Sequence, residues 1–269
     1  MFVEKHCCFD GGRLAEVFVY DRAPEGETRF AIAASDYRRA YDRCETCGHY
    51  FSRHAFDLGG LYEASYVDAT YGGAAGMKAR LERILALPPE RSDNAGRAAR
   101  VDMFAAQSRG RKLLDVGAGI GVFPASMLDR GWTVDAVELD MRTAEHLREV
   151  LGVDAYTEEL ETLAARGIGR FDTITFNKVI EHVEDPVAIL RDAIPLMAEG
   201  GFVYVEVPDV AAAVDGPGRE EFFIEHLHVF SPVSLIMTIE TAGLAIFELE
   251  RIREPSGKYT LFAFAKAVP

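Results

Sequence analysis

The chain has 269 residues, 49% of them hydrophobic, and a formal net charge of −14. This length and composition allow a sizeable core and exclude general disorder, while the negative surface repels phosphate backbones, so nucleic acid is not an expected partner. No apolar run approaches the ~20 residues that span a bilayer and the first residues carry no signal-peptide core, so no membrane partner is expected and the protein is expected in the cytoplasm.

Residues 1–72 lack strand–helix alternation. They carry short alternating runs, Glu16–Tyr20 and Arg29–Ile32, which predict a small β-rich module. Within it, Cys44-Glu45-Thr46-Cys47-Gly48 is a C-x-x-C turn able to place two thiolates at adjacent corners of a tetrahedral zinc site. That is half a site. The other half would come from Cys7 and Cys8, with His6 or His49 as substitutes; the alternative is a module with free thiols held by its own core. Residues 73–110 read as a helical linker or lid. Met77, Leu81, Ile84 and Leu85 recur at helical spacing until Pro88-Pro89 stops the helix, and a second helix starts after Ser92-Asp93-Asn94 and turns Val101, Phe104 and Ala105 inward.

From residue 111 to 269 strands and helices alternate, which predicts a parallel sheet covered on both faces. Its first strand, Lys112–Val116, runs into Gly117-Ala118-Gly119-Ile120-Gly121 and a helix from Val122 to Arg130. Glycines at alternate positions before a helix N-terminus suggest a ligand lying close to the backbone. The dinucleotide fingerprint G-x-G-x-x-G is not met, because Val122 stands where its third glycine belongs, and Asp115 would repel a phosphate but could hold an ammonium group. Glu138, at the end of the second strand, stands where an acidic side chain accepts hydrogen bonds from ribose hydroxyls. The ligand implied has a ribose and a cationic end but no phosphate. Further strands are expected at Val153–Ala155, at Phe171–Asn177 and after Gly200-Gly201, with helices at 141–151 (capped by Asp140), at 186–198 and from Ser231-Pro232 to Gly243. A closing hairpin is expected from Ala245–Arg253 and Lys258–Ala267.

The run Leu113 to Gly121, with Glu138, Phe171–Val183 and Gly200–Pro208, resembles the class I S-adenosylmethionine-dependent methyltransferases over roughly residues 92–265. The resemblance implies a Rossmann-like seven-stranded sheet whose last strand is antiparallel. It also implies S-adenosyl-L-methionine held by Asp115, Gly117, Ala118, Gly119, Gly121, Glu138 and Leu139, with Glu159 and Leu160 near adenine and Asn177 near the methyl group. The first segment is similar to the zinc-binding module of sugar-type methyltransferases, including a tyrosine-rich stretch at Leu61–Tyr71. This likeness implies a structural zinc on Cys7, Cys8, Cys44 and Cys47.

Methyl transfer to a hydroxyl requires alignment and a base. His182 follows the fourth strand, and His226, with Glu225 beside it and His228 beyond, lies in the loop after the fifth; these histidines and Glu225 are the candidate catalytic groups. The stretch from Phe223 to Pro232 resembles the Tyr-x-Glu-His segment of sugar methyltransferases, with Phe223 in place of the tyrosine. The expected acceptor is a hydroxyl of a sugar, nucleotide-sugar or glycan-type small molecule. Rival readings are nitrogen or carbon methylation in natural-product assembly and a non-catalytic cofactor-binding scaffold.

Overall fold

The structure, a computed structural model, describes residues 7, 9–28, 30, 32, 33, 36–56, 73–106 and 110–268. Cys8, His6 and the tyrosine-rich stretch lie outside the described residues. Two sheets organise the chain. The first strands, β1 (Leu14–Tyr20), β2 (Arg39–Cys44) and β3 (Tyr50–His54), form an antiparallel meander. Phe30 and Ile32 fall in no strand, although their alternation had suggested one.

Helix α1 (Gly73–Leu85) ends before Pro88-Pro89, and α2 (Asp93–Ala105) starts at Ser92, whose side chain accepts the amide of Ala95. The second sheet then builds in order: β4 (Lys112–Val116), α3 (Val122–Leu128), β5 (Thr133–Val137), α4 (Met141–Leu151), β6 (Asp154–Tyr156), α5 (Leu160–Arg166), β7 (Phe171–Asn177), α6 (Pro186–Ala193) and β8 (Met197–Pro208). After a long loop come β9 (His228–Val229), α7 (Pro232–Thr241), β10 (Leu244–Arg253) and β11 (Tyr259–Ala267). The spatial order is β10-β11-β8-β7-β4-β5-β6, with β4 to β8 parallel and β11 antiparallel to both neighbours. This is the seven-stranded sheet expected. The fourth strand and the helix at 141–151 fall where the residue pattern placed them, whereas α6 stops at Ala193 rather than 198 because Pro195 cannot continue its hydrogen bonds.

Alternation along the strands divides the core. Leu114, Val116, Ile174, Phe176, Val203 and Val205 face Leu160, Leu163, Leu190 and Leu235, while Leu113, Val134, Phe202, Tyr204 and Phe264 face Val101, Phe123, Met127 and Leu147.

The small sheet is not a separate lobe. Its fourth strand is β9, from the loop after β8, paired through Tyr50 with Val229 and Phe51 with His228. A buried ion pair fastens the two parts further. Arg39 donates from Nη2 to Glu27 Oε1 at 2.5 Å and from Nη1 to the carbonyl of Phe222 at 2.8 Å, and Glu27 Oε1 also accepts the Ile224 amide at 2.8 Å. Both charged side chains are fully buried, so loss of one leaves the other without its counter-charge. Arg39→Ala should therefore lower unfolding free energy by ~3–5 kcal/mol in a denaturant titration, whereas a loss under ~1 kcal/mol would show that the pair does not fasten the module.

Candidate active site

The ligand-facing end of the large sheet is built from the carboxyl ends of β4, β5, β7 and β8. After β4, Gly117, Gly119 and Gly121 adopt φ of +68°, +53° and +84°, a region other residues enter at a cost. Protein packing itself demands two of them: a Cβ on Gly117 would come within 2.7 Å of Val179, and one on Gly121 within 2.5 Å of Leu151 and 2.7 Å of Leu147. Gly121 thus seats α3 against α4. The amides of Gly117 and Ala118 both donate to the carbonyl of Val137, at 2.8 and 3.2 Å, which ties the turn to the end of β5. Glu138 braces it from the same side, accepting the Gly119 amide on Oε2 at 2.9 Å and the Asp140 amide on Oε1 at 3.3 Å. Burial raises its pKa, an effect these amides oppose.

Asp115 is buried at the end of β4, and its Oδ1 accepts Thr175 Oγ1 at 2.6 Å and Asn177 Nδ2 at 2.7 Å. Burial pushes its pKa up to about 7 and Glu138 adds to the rise, while Thr175, Asn177 and the Arg97 guanidinium hold it down. The other amide atom, Asn177 Oδ1, is buried without a hydrogen-bond partner among the described residues. An orphaned acceptor beside a buried carboxyl fits an ammonium group, and Glu138, with lone pairs to spare, fits ribose hydroxyls. The remaining expected contacts differ. Leu139 is 62% exposed at the rim, Glu159 is exposed and precedes α5 without capping it, and the side chain of Leu160 is spent in the core.

Two helices cover this end. In α1, Met77 and Leu81 pack on Ile120 of the glycine turn. In α2, Asn94 donates to the Val122 carbonyl and to Ser126 Oγ, and Arg97 reaches across to Glu206 of β8, with Nε at 2.9 Å from Oε2. Glu206 also accepts Tyr204 OH at 2.7 Å and Arg100 Nη2 at 3.2 Å. Burial acts to raise the Glu206 pKa, but Arg97 and Lys178 hold it well below the usual carboxylate range. Asn94 and Arg97 therefore tie α2 to α3 and to β8. Lys178, at φ +59° just after β7, donates its amide to the Glu206 carbonyl and its Nζ to Thr260 Oγ1 at 2.8 Å, bonds that sustain the unfavourable backbone angle.

His182 and His226 meet at the mouth, their rings T-shaped with centroids 4.9 Å apart, and both side chains are partly exposed. His182 Nδ1 lies 2.8 Å from the Glu225 carbonyl and His226 Nδ1 lies 2.9 Å from the Glu221 carbonyl. A carbonyl only accepts, so each Nδ1 carries the proton and each neutral ring keeps its lone pair on Nε2. Burial lowers both histidine pKa values, which favours this neutral form. The Glu225 carboxylate, expected beside the base, accepts Thr28 Oγ1 at 3.3 Å, and its main-chain carbonyl accepts the His182 Nδ1 proton. Glu181, fully buried beside His182, adds a carboxyl group to the cluster, with its pKa raised to about 8 by burial. Glu-His after a strand end was the available signal for it. The His228 ring points away from this pair: its Nδ1 faces His49 Nε2 at 3.1 Å.

At the far end of the small sheet, Cys7, Asp10, Cys44 and Cys47 bring one donor atom each to within 4.8 Å of one another. Cys7 and Cys47 sulfurs are 3.7 Å apart, and Cys44 Sγ accepts the amides of Thr46 and Cys47 at 3.4 Å, the backbone support a thiolate in a C-x-x-C turn needs. Asp10 completes the described set. His49 does not join this set; its ring nitrogens face His228 Nδ1 at 3.1 Å and Ser234 Oγ at 2.9 Å.

Comparison with known proteins agrees with this architecture. Residues 89–249, more than half of the chain, match the family described as "Methyltransferase domain". The chain belongs to the class I S-adenosylmethionine-dependent methyltransferases. Curated relatives include the ubiquinone biosynthesis O-methyltransferases of Xanthomonas euvesicatoria pv. vesicatoria (strain 85-10), 36% identical over 101 residues covering 36% of this chain and 42% of that protein, and of Ralstonia nicotianae, 36% identical over 100 residues covering 35% and 42%. The chain thus spans less than half the length of these relatives. Among solved structures, the Burkholderia thailandensis 1,6-didemethyltoxoflavin-N1-methyltransferase, with bound 1,6-didemethyltoxoflavin and S-adenosylhomocysteine, superposes with a TM-score of 0.60 at 20% identity, covering 91% of this methyltransferase and 100% of that chain. Magnesium protoporphyrin IX methyltransferase from Synechocystis PCC 6803, with bound S-adenosylmethionine, gives 0.52 at 15% identity over 80% and 100%. At these identities the likeness is one of fold. Among the described residues no helix is long and apolar enough to cross a membrane.

Two binding outcomes follow for the methyltransferase. Glu138→Ala should weaken S-adenosylhomocysteine by ~1–3 kcal/mol in calorimetry, and Gly119→Val should abolish binding; unchanged affinity in both would misplace the site. Because an ammonium beside Asp115 favours its ionised form, S-adenosylmethionine affinity should fall as pH drops from about 8 to about 6 through the Asp115 pKa, and Asp115→Asn should flatten that dependence.

Proposed function

We propose that this methyltransferase transfers a methyl group to a hydroxyl of a small-molecule metabolite, with a sugar, nucleotide-sugar or glycan-type compound as the acceptor class. The observation that carries this reading is the histidine pair at the mouth, in which both Nδ1 protons are pinned on main-chain carbonyls and the neutral His226 ring keeps a basic Nε2. An amine acceptor can be nucleophilic without such a group, whereas a hydroxyl must lose its proton as its oxygen attacks. The names of the curated relatives favour oxygen, and the cysteine-bearing module favours a sugar.

Asp115, Asn177, the glycine turn and Glu138 would hold S-adenosylmethionine, which supplies a methyl whose carbon–sulfur bond breaks, its electron pair staying on sulfur, as the acceptor oxygen bonds the carbon. The lid residues Met77, Leu81 and Arg97 limit water entry above the turn. His226 Nε2 takes the hydroxyl proton, with His182 beside it, and Tyr41 OH, donating to the His226 carbonyl at 2.6 Å, keeps the loop in place. Cys7, Asp10, Cys44 and Cys47 would hold a structural zinc that stabilises the module and takes no part in the transfer.

With a saccharide or nucleotide-sugar acceptor, His226→Ala should cut turnover by ~10²–10⁴ while leaving cofactor affinity nearly intact; near-normal turnover in both His226→Ala and His182→Ala would point to an amine acceptor instead. Elemental analysis should find zinc in the parent protein, and a thiol-selective chelator should lower its melting temperature. A metal-free preparation that is indifferent to chelator would remove the zinc.

A further inference from the structure

Lys178 takes no part in the methyl or proton transfer, yet its backbone is held where glycine would cost less. At φ +59° it lies in the left-handed region just after β7, and its amide donates to the Glu206 carbonyl at 2.9 Å. The side chain turns to the same end of the sheet: Nζ donates to Thr260 Oγ1 at 2.8 Å, and Thr260 pairs in register with Pro208, the last residue of β8. The ammonium thus stands at the ligand-facing end, with 25% of the side chain open to solvent. On one side of it Asn177 bonds Asp115. On the other is His226, whose pKa is lowered by burial and by His182, and further by the Lys178 charge.

Neither neighbouring carboxylate takes this ammonium. Glu206 is 3.8 Å from Nζ, beyond hydrogen-bond distance, and already accepts Arg97, Arg100 and Tyr204. Burial raises the Glu181 pKa and the Lys178 charge opposes the rise, but neither Glu181 oxygen has a hydrogen-bond partner among the described residues. An ammonium carries three donors, and among the described residues Thr260 is the one acceptor that Nζ bonds.

We propose that Lys178 binds the acceptor through an anionic oxygen group, a carboxylate or a phosphate, so that the metabolite methylated is acidic. This rests on the hydroxyl-methylation reading for the reacting group and adds the charge of the molecule that carries it. A chain of net charge −14 repels acidic metabolites at long range, so a pocket that takes one needs a local cation. Lysine supplies a compact charge whose donors can turn to either anion, and Thr260 holds Nζ in place beforehand, which reduces the entropy lost on binding. The bound anion also offsets a positive charge that helps depress the His226 pKa. An acidic acceptor therefore strengthens the base that receives its hydroxyl proton.

The test is calorimetry of matched probes on the full chain loaded with S-adenosylhomocysteine: glucuronate and glucose 1-phosphate against glucose, and 4-hydroxybenzoate against 4-hydroxybenzyl alcohol. At least one anionic probe should bind at least ~10-fold more tightly than its neutral counterpart, and the preference should vanish in Lys178→Gln and in Lys178→Gly. The glycine variant relieves the backbone angle, so it keeps the test open if the glutamine variant misfolds. S-adenosylhomocysteine affinity should match the parent in both. No preference in any pair, or a preference that survives both substitutions, would overturn the proposal. So would a parallel loss of S-adenosylhomocysteine affinity, which assigns the ammonium to the cofactor's own carboxylate. Glucuronate and glucose 1-phosphate separate carboxylate from phosphate. A preference confined to the aromatic pair supports Lys178 and removes the sugar class, whereas glucose binding with no preference in any pair removes the proposal and leaves the sugar class standing.

Discussion

The loop that carries His226 depends on the buried pair of Glu27 and Arg39. Residues 220–228 have little regular structure of their own, a 3₁₀ turn and a two-residue strand, so their position must come from outside. Arg39 holds the Phe222 carbonyl, Glu27 the Ile224 amide, Thr28 the Glu225 carboxylate and Tyr41 the His226 carbonyl. Four contacts from the N-terminal module thus help set a segment that the rest of the chain also holds, through Tyr259 at Glu221 and His182 at the Glu225 carbonyl. The ionic part is expensive to bury, and its return is geometric: a guanidinium with several fixed N–H directions fastens two strands of backbone at once. The N-terminal module is in this sense a structural component of the candidate active site.

The two histidines show how backbone groups can set chemistry. Neither ring relies on a carboxylate for its orientation; main-chain carbonyls of Glu221 and Glu225 fix both tautomers. The 221–225 segment therefore determines which nitrogen faces the pocket, and the module determines where the segment lies. The main-chain carbonyl of Glu181 accepts amides from Leu227 and His228, which joins the loop after β7 to the same assembly. Loops from two strand ends and a separate sheet converge on one small volume.

On the cofactor side the division of labour is different. The glycine turn, Asp115, Glu138 and Asn177 lie on consecutive pieces of the parallel sheet and brace one another directly, through Gly119 to Glu138 and Asn177 to Asp115. Arg97 and Arg100, from α2, close over this face by pairing with Glu206 at the end of β8. Glu206 went unnoticed in the residue pattern because an acidic residue inside an apolar strand does not show which cations will surround it. Its low pKa is a product of those neighbours.

Hydrophobic periodicity and glycine placement, both local properties, determined the strands at 112–116 and 171–177, the helix at 141–151 with its Asp140 cap, and the turn at Gly117–Gly121. Local steric rules also limited what the pattern could say: Pro195 shortened α6, and two of the three glycines answer to Val179, Leu147 and Leu151, distant residues that spacing does not reveal. His182 and His226 were legible as candidates because both follow strands whose carboxyl ends share one edge of the sheet. Their encounter, the burial of Glu181 beside them, and the appearance of Asp10 among the cysteines were decided only by tertiary structure. The reason is that hydrogen-bond direction and burial are properties of the folded neighbourhood: adjacency in the chain placed Glu225 beside His226, but the backbone turned its carboxylate toward Thr28 and left the buried Glu181 at the cluster.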